Sequence, residues 1–288
     1  MATRRPLRYW IVPSPSCGHT NRAPKNESFG SPWAATAADL FDDEALSRVA
    51  TRWVELSRER GALTSLPVAL AVLANLHQVP EGQFSAAAAS LNEAREILSA
   101  STANPGILGT YGGEALLLRA WQGHEDEVRS ITLASAPEAV SGGRDRLVMY
   151  AYLSLAALEL GLGNYQAALA SARMVYEDDP PWTGTFILPD LVEAAVRTGE
   201  HRTAVAALER LSDRALSSQT PLGLGLLARS QALLADDGDA GRLYEEAIEH
   251  LEGCRTMTER ARPPPPLRRV AASAAAPTEC PGSTPHSP

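Results

Sequence analysis

The sequence predicts an all-α protein, an α-solenoid of paired helices flanked by two disordered ends. Three observations predict it. A glycine followed by a helix-starting segment recurs at Gly82, Gly123, Gly163, Gly199 and Gly238, at intervals of 41, 40, 36 and 39 residues. An apolar helical segment precedes each glycine: Leu66–Leu76, Ala115–Trp121, Leu147–Leu162, Ile187–Val196 and Leu222–Leu234. No run alternates apolar and polar residues over the length of a useful strand. Each pair alone would leave an apolar face uncovered, so stacking on the next pair is what stabilises it.

Composition divides the 288 residues into three stretches. Residues 1–33 are rich in Pro, Ser, Asn and Gly and keep no sustained period. Residues 34–262 are rich in Ala and Leu and read as helix after helix. Residues 263–288 open on Pro263, Pro264, Pro265 and Pro266. Four prolines cannot occupy a helix interior, because each lacks an N–H and clashes with the preceding turn. Both end segments are expected to be disordered.

The elements follow in order. Asp42, Asp43 and Glu44 read as a helix N-terminus, where acids complement the dipole. Ser65 can cap the next helix, with Pro67 in its first turn. His124, Glu125 and Asp126 read as another helix start rather than a metal site. After Gly163, residues Tyr165, Ala168, Leu169 and Ala172 fall at i, i+3, i+4 and i+7, a single apolar stripe. Pro189 is placed near a helix start, in the manner of Pro67, with a kink as the alternative. Gly223 and Gly225 lie inside a helical pattern, not in a dinucleotide fingerprint, which needs a preceding strand and a third glycine. After Gly238 the stripe recurs as Tyr244, Ala247, Ile248 and Leu251. The repeat length is longer than the ~34 residues of a tetratricopeptide (TPR) unit, so the array is irregular and TPR-like.

Charge and motif content exclude several functions. Lys and Arg number 26 against 34 Asp and Glu, a formal net charge of -8, a poor basis for gripping phosphate backbones. Lys25 is the single lysine and sits outside any P-loop pattern. Cys17, Cys254 and Cys280 form no CxxC pair, so neither zinc nor a disulfide framework is implied. Cys254 has Arg255 beside it but no assignable His partner, which argues against a nucleophile. Glu209 and Arg210 read as a solvated face. No apolar run reaches the ~18 residues of a membrane span. The stretch Tyr9–Val12 is too short for a signal peptide, and the expected location is cytoplasmic. No catalytic residue, metal or cofactor is expected. A solenoid offers a concave groove, and Trp121, Tyr150 and Tyr152 are the candidate contacts for a protein or small-molecule effector there. Packing between repeats is the commoner use of such aromatics.

Several segments resemble one family. Gly61-Ala62-Leu63 with Leu66-Pro67-Val68-Ala69-Leu70 resembles a GAL..LP.AL pattern. The run Gly161–Ala170, GLGNYQAALA, resembles GLGRYEEALA. Leu191–Gly199, LVEAAVRTG, resembles LVEAAVRSG. Leu224-Gly225 with Ala228-Arg229-Ser230 and Ala232-Leu233-Leu234 resembles LG..ARS.ALL, and Leu243–Leu251, LYEEAIEHL, resembles LYREAIERL. Leu222 and Leu227 depart from it, standing where tryptophan and glutamate are common. Together these patterns resemble the TPR-like middle region of large ATP-dependent LuxR-type transcriptional regulators, over roughly Asp42 to Arg262. In that family the region lies between a P-loop ATPase and a helix-turn-helix, and the resemblance implies a sensing and coupling arm. Neither partner domain can be read in this chain, so it is expected neither to hydrolyse ATP nor to bind DNA.

The family's next helix reads AHLLYGEWLRR. Here the chain reads Pro264–Ala271, PPPLRRVA. With suitable synonymous codons, the same bases read one position later give HLLYGEWL. A frame shift near Pro263 follows, with residues 263–288 translated out of frame. Without that helix the last pair is expected to expose an apolar face and the domain to be marginally stable. Two function classes follow: a regulator fragment, or a free-standing TPR-like adaptor for protein partners.

Overall fold

The computed structural model describes residues 30–100, 115–141 and 146–261. The reading of residues 263–288 as out-of-frame sequence, and of residues 1–29, lies outside the described residues. Among the described residues there are thirteen α-helices and no strand. They are α1 (Gly30–Asp39), α2 (Asp43–Glu59), α3 (Leu66–Leu73), α4 (Phe84–Ala100), α5 (Leu116–Trp121), α6 (Glu125–Ser141) and α7 (Arg146–Leu162). Then come α8 (Tyr165–Asp178), α9 (Thr183–Arg197), α10 (His201–Ser218), α11 (Pro221–Leu234), α12 (Asp237–Glu252) and α13 (Met257–Arg260). A π-helical turn, Ala74–Gln78, extends α3.

The starts of these helices follow from their sequence. Asp42 caps α2 by accepting from the Ala45 N–H at 2.8 Å, and Asp43 and Glu44 fill the first turn. Glu125, Asp126 and Glu127 do the same for α6. Thr220 caps α11 from the Gly223 N–H, with Pro221 at the first helical position. Ser65 holds the cap position of α3 without capping. Its hydroxyl pairs instead with Ser57 at 3.0 Å, which ties α2 to the start of α3.

The turn inside each pair is also shared. At Gly163 (φ 79°) the Gly163 N–H reaches Leu160 O at 3.1 Å and the Asn164 N–H reaches Glu159 O at 2.8 Å. This left-handed closure satisfies two orphan carbonyls of α7, and glycine adopts it without a Cβ penalty. The same pair of bonds recurs at Gly82, Gly123 and Gly199, all with positive φ. Gly238 is different: it lies inside α12, and the α11–α12 turn runs through the extended residues Ala235 and Asp236. Between pairs the left-handed position falls to non-glycines: Asp179 ends α8 and Gln219 ends α10.

Two more boundaries differ from expectation. Pro189 sits within α9, which starts at Thr183, because Trp182 and the diproline before it set the helix start earlier. The apolar segment from Leu66 changes to π geometry at Ala74.

Packing follows the pairs. Within pairs, α3 meets α4, α7 meets α8, α9 meets α10 and α11 meets α12. The first helices also touch in succession: α5 with α7, α7 with α9, and α9 with α11. The core is accordingly a string of local clusters, the largest spanning α7 to α10 around Leu169, Ile187 and Leu191. One set of contacts departs from this neighbour-to-neighbour order. Helix α1 packs on α9, and Phe41 (1% exposed) joins Leu188, Leu222, Leu226 and Leu251 in one cluster. Phe41 pays for a left-handed φ of 53° and meets Phe186 edge-on at 6.1 Å. The last helix pair is therefore tied to the first helices through Phe41, while Ile248 of α12 and Met257 of α13 stay exposed.

Candidate functional site

Helix α7 is apolar on most sides, as a mid-array helix must be, and it carries two of the three candidate aromatics. Residues 150 and 152 lie about 200° apart on a helix, so they face different neighbours. Tyr150 is 3% exposed and packs against the Trp182 ring at 5.5 Å. Tyr152 is half-buried beside the same cluster. Trp121, the last residue of α5, packs elsewhere, against the cluster of Ala74, Val79, Ala87 and Leu118. The structure thus joins Tyr150 and Tyr152 to one core and places Trp121 in another. Tyr150 is a packing anchor by its burial.

Two polar constellations escaped sequence reasoning. The first centres on the α8–α9 corner. Trp182 is held at φ 57°, ψ -47°, a conformation costly for a side-chain-bearing residue. Asp39 of α1 holds it there, accepting from the Trp182 N–H at 2.7 Å and from the Thr185 hydroxyl at 2.8 Å. Arg214 donates to Thr185 and, with both bonds at 2.8 Å, to the Asp179 carboxylate. Arg210 stacks on Tyr176 at 3.7 Å and donates to its carbonyl. Arg210 was expected on a solvated face. It is instead half-buried, because the Tyr176 ring shields its guanidinium, while Glu209 is exposed.

The second constellation lies where the first helices meet the last. His77, in the π turn, has Nδ1 3.1 Å from Glu81 Oε1 and Nε2 3.4 Å from the Ser47 hydroxyl. Burial draws the His77 pKa below its ordinary 6.5, opposed by Glu81 and reinforced by the Arg255 guanidinium. The Arg255 Nε donates to the same Glu81 Oε1, and its backbone N–H donates to Asp43 at 2.7 Å. Ser47, His77 and Glu81 stand in the order of a nucleophile, base and orienting acid. The surroundings do not suit acyl transfer: Ser47 is 8% exposed in the second turn of α2, where the helix ladder takes the backbone N–H groups an oxyanion would need.

Cys254, next to this seam, is also unsuited to nucleophilic work. Burial, aided by Asp43, pushes its thiol up to about 11, and its Sγ donates to His250 O. Among the described residues no group of three or more His, Cys, Asp or Glu could hold a metal ion. No helix among them is long and apolar enough to cross a membrane. No signal in the sequence could have exposed these constellations, because Asp39 and Trp182 are 143 residues apart and Arg255 and Asp43 are 212 apart. No protein-family model, curated protein or solved structure matches the chain.

Proposed function

We propose that this chain is the TPR-like helical-repeat arm of a LuxR-type, ATP-dependent transcriptional regulator, a part that senses an effector and couples it to the rest of such a protein. The observation that carries the reading is where the family-like segments fall. GLGNYQAALA spans the α7–α8 turn, LVEAAVRTG spans the end of α9 and its glycine turn, and LYEEAIEHL lies on α12. The contacts of successive first helices, α5 to α7 to α9 to α11, support a solenoid-like stack over that stretch. Acting in the cytoplasm, it would take a protein or small-molecule effector in its groove, with Trp121 and Tyr152 as contacts and Tyr150 packed in the core against Trp182. DNA binding and ATP hydrolysis would belong to other domains.

The test is at the gene. The locus is resequenced across the codons for Thr258 to Pro277, and all frames downstream are translated. A restored frame running into a LuxR-type helix-turn-helix is the expected result. Bases that stand as read, with no such domain in any frame, overturn the regulator reading and leave a binding scaffold.

A further inference from the structure

The seam between first and last helices has an apolar anchor and a polar edge. Phe41 is the anchor. The edge is the corner Cys254–Thr258 laid against α2 and the π turn. Thr258 donates twice to Pro80 O, from its N–H at 3.0 Å and its hydroxyl at 3.1 Å. Arg255 reaches Asp43 and Glu81. On its other side the corner is fixed to α11, because the buried Arg229 donates to Glu259 at 2.7 Å.

We propose that this edge is a proton-operated clasp, in which Glu81 exchanges Arg255 for its own neighbour His77 and so releases the last helices from the first. The geometry supplies the exchange. One oxygen, Glu81 Oε1, serves both the Arg255 Nε and the His77 Nδ1. With His77 neutral, Arg255 is the only cation on that oxygen, and the clasp holds. A solvent proton taken up at His77 Nε2 leaves the Ser47 hydroxyl to turn and accept the new N–H. The imidazolium then competes for Glu81 from the same chain segment, four residues away, with no long-range ordering to lose. Of the other charged groups at the edge, Asp43 holds Arg255 only through its backbone N–H, and Arg260 lies near the Cys254 thiol. That thiol stays neutral. Parting of the edge also returns the enclosed His77 to water, which favours its charged form. Because Arg229 keeps the corner on α11, movement falls on the side of the π turn.

Amide hydrogen exchange on the full chain tests this, with rates corrected for the intrinsic effect of pH. The reporter is the Thr258 amide, and the buried helical Leu211 amide is the reference. Between pH 8 and pH 5, either side of the ordinary histidine value of 6.5, Thr258 protection should fall several-fold while Leu211 protection holds. The Thr258 change should track the His77 imidazole titration followed by NMR. His77→Gln should hold Thr258 protection level across the range. Unchanged Thr258 protection in the wild type overturns the clasp. So does an equal fall in His77→Gln, a midpoint unrelated to His77, or a parallel fall at Leu211. If His77→Gln folds poorly, the wild-type comparison of Thr258, Leu211 and the imidazole titration decides alone.

Discussion

Gly225 illustrates how one missing side chain sets a helix spacing. A Cβ there would lie 2.6 Å from Leu251 Cγ, so α11 and α12 approach as closely as they do because position 225 is bare. Gly225→Ala must push Leu251 off its seat, and overpacking of this kind costs about 1–3 kcal/mol. Urea unfolding should show that loss directly. Cys254 makes a second prediction at this scale. Buried, with its thiol raised to about 11, it should resist alkylation at neutral pH in the native protein and react once guanidinium unfolds the chain. An equal rate in both states would contradict the burial. The stripe positions Ala168, Leu169, Ala172, Tyr244, Ala247 and Leu251 were legible in the sequence and are buried. Two stripe positions differ: Tyr165 is half-buried and Ile248 is exposed. Periodicity names a face, but it cannot say how far that face is covered.

Helix boundaries were legible wherever a local signal made them. Asp42 as a cap and the glycines at 82, 123, 163 and 199 are local chemistry, and each is found in place. Pro189 and Gly238 were misplaced because each boundary was set by something nonlocal or weaker than a glycine turn. One tie between consecutive pairs is Glu159 of α7. It takes Arg129 of α6 at 2.7 and 3.1 Å, and Asn164, at the head of α8, at 2.7 Å. Hydrogen bonding from Arg129 holds the Glu159 carboxyl below its ordinary 4.5, and Asn164 adds to this. A carboxyl depressed on folding contributes stability above that ordinary value and loses it as the pH falls through the lower, folded value. Glu159→Gln should therefore be less stable than the wild type at neutral pH, and the gap should narrow in acid below 4.5. Urea midpoints at both pH values check the direction.

On the scale of the whole molecule, the all-α class and the succession of pairs were readable, while the seam was not. Periodicity is a property of neighbours, and the seam joins segments about as far apart as the domain allows. Its apolar part predicts an unusual phenotype. Phe41→Ala removes a ring from a cluster made otherwise of α9 to α12 and the corner after them. A loss of about 3–5 kcal/mol is expected for a fully buried phenylalanine. Hydrogen exchange should show α11 and α12 loosening, although the substitution lies near the chain's beginning. Loosening confined to α1 and α2 would mean that the seam carries little of the stability of the last pair.

The same seam has a consequence for how the protein is made. Asp43 leaves the ribosome 212 residues ahead of Arg255, its partner. At about 5–20 residues per second, the first helices wait on the order of 10–40 s for the last ones. Helix pairs can close as they emerge, but Phe41 has no final resting place during that interval. Its ring is then an early client for whatever cellular factor shields nascent apolar surface.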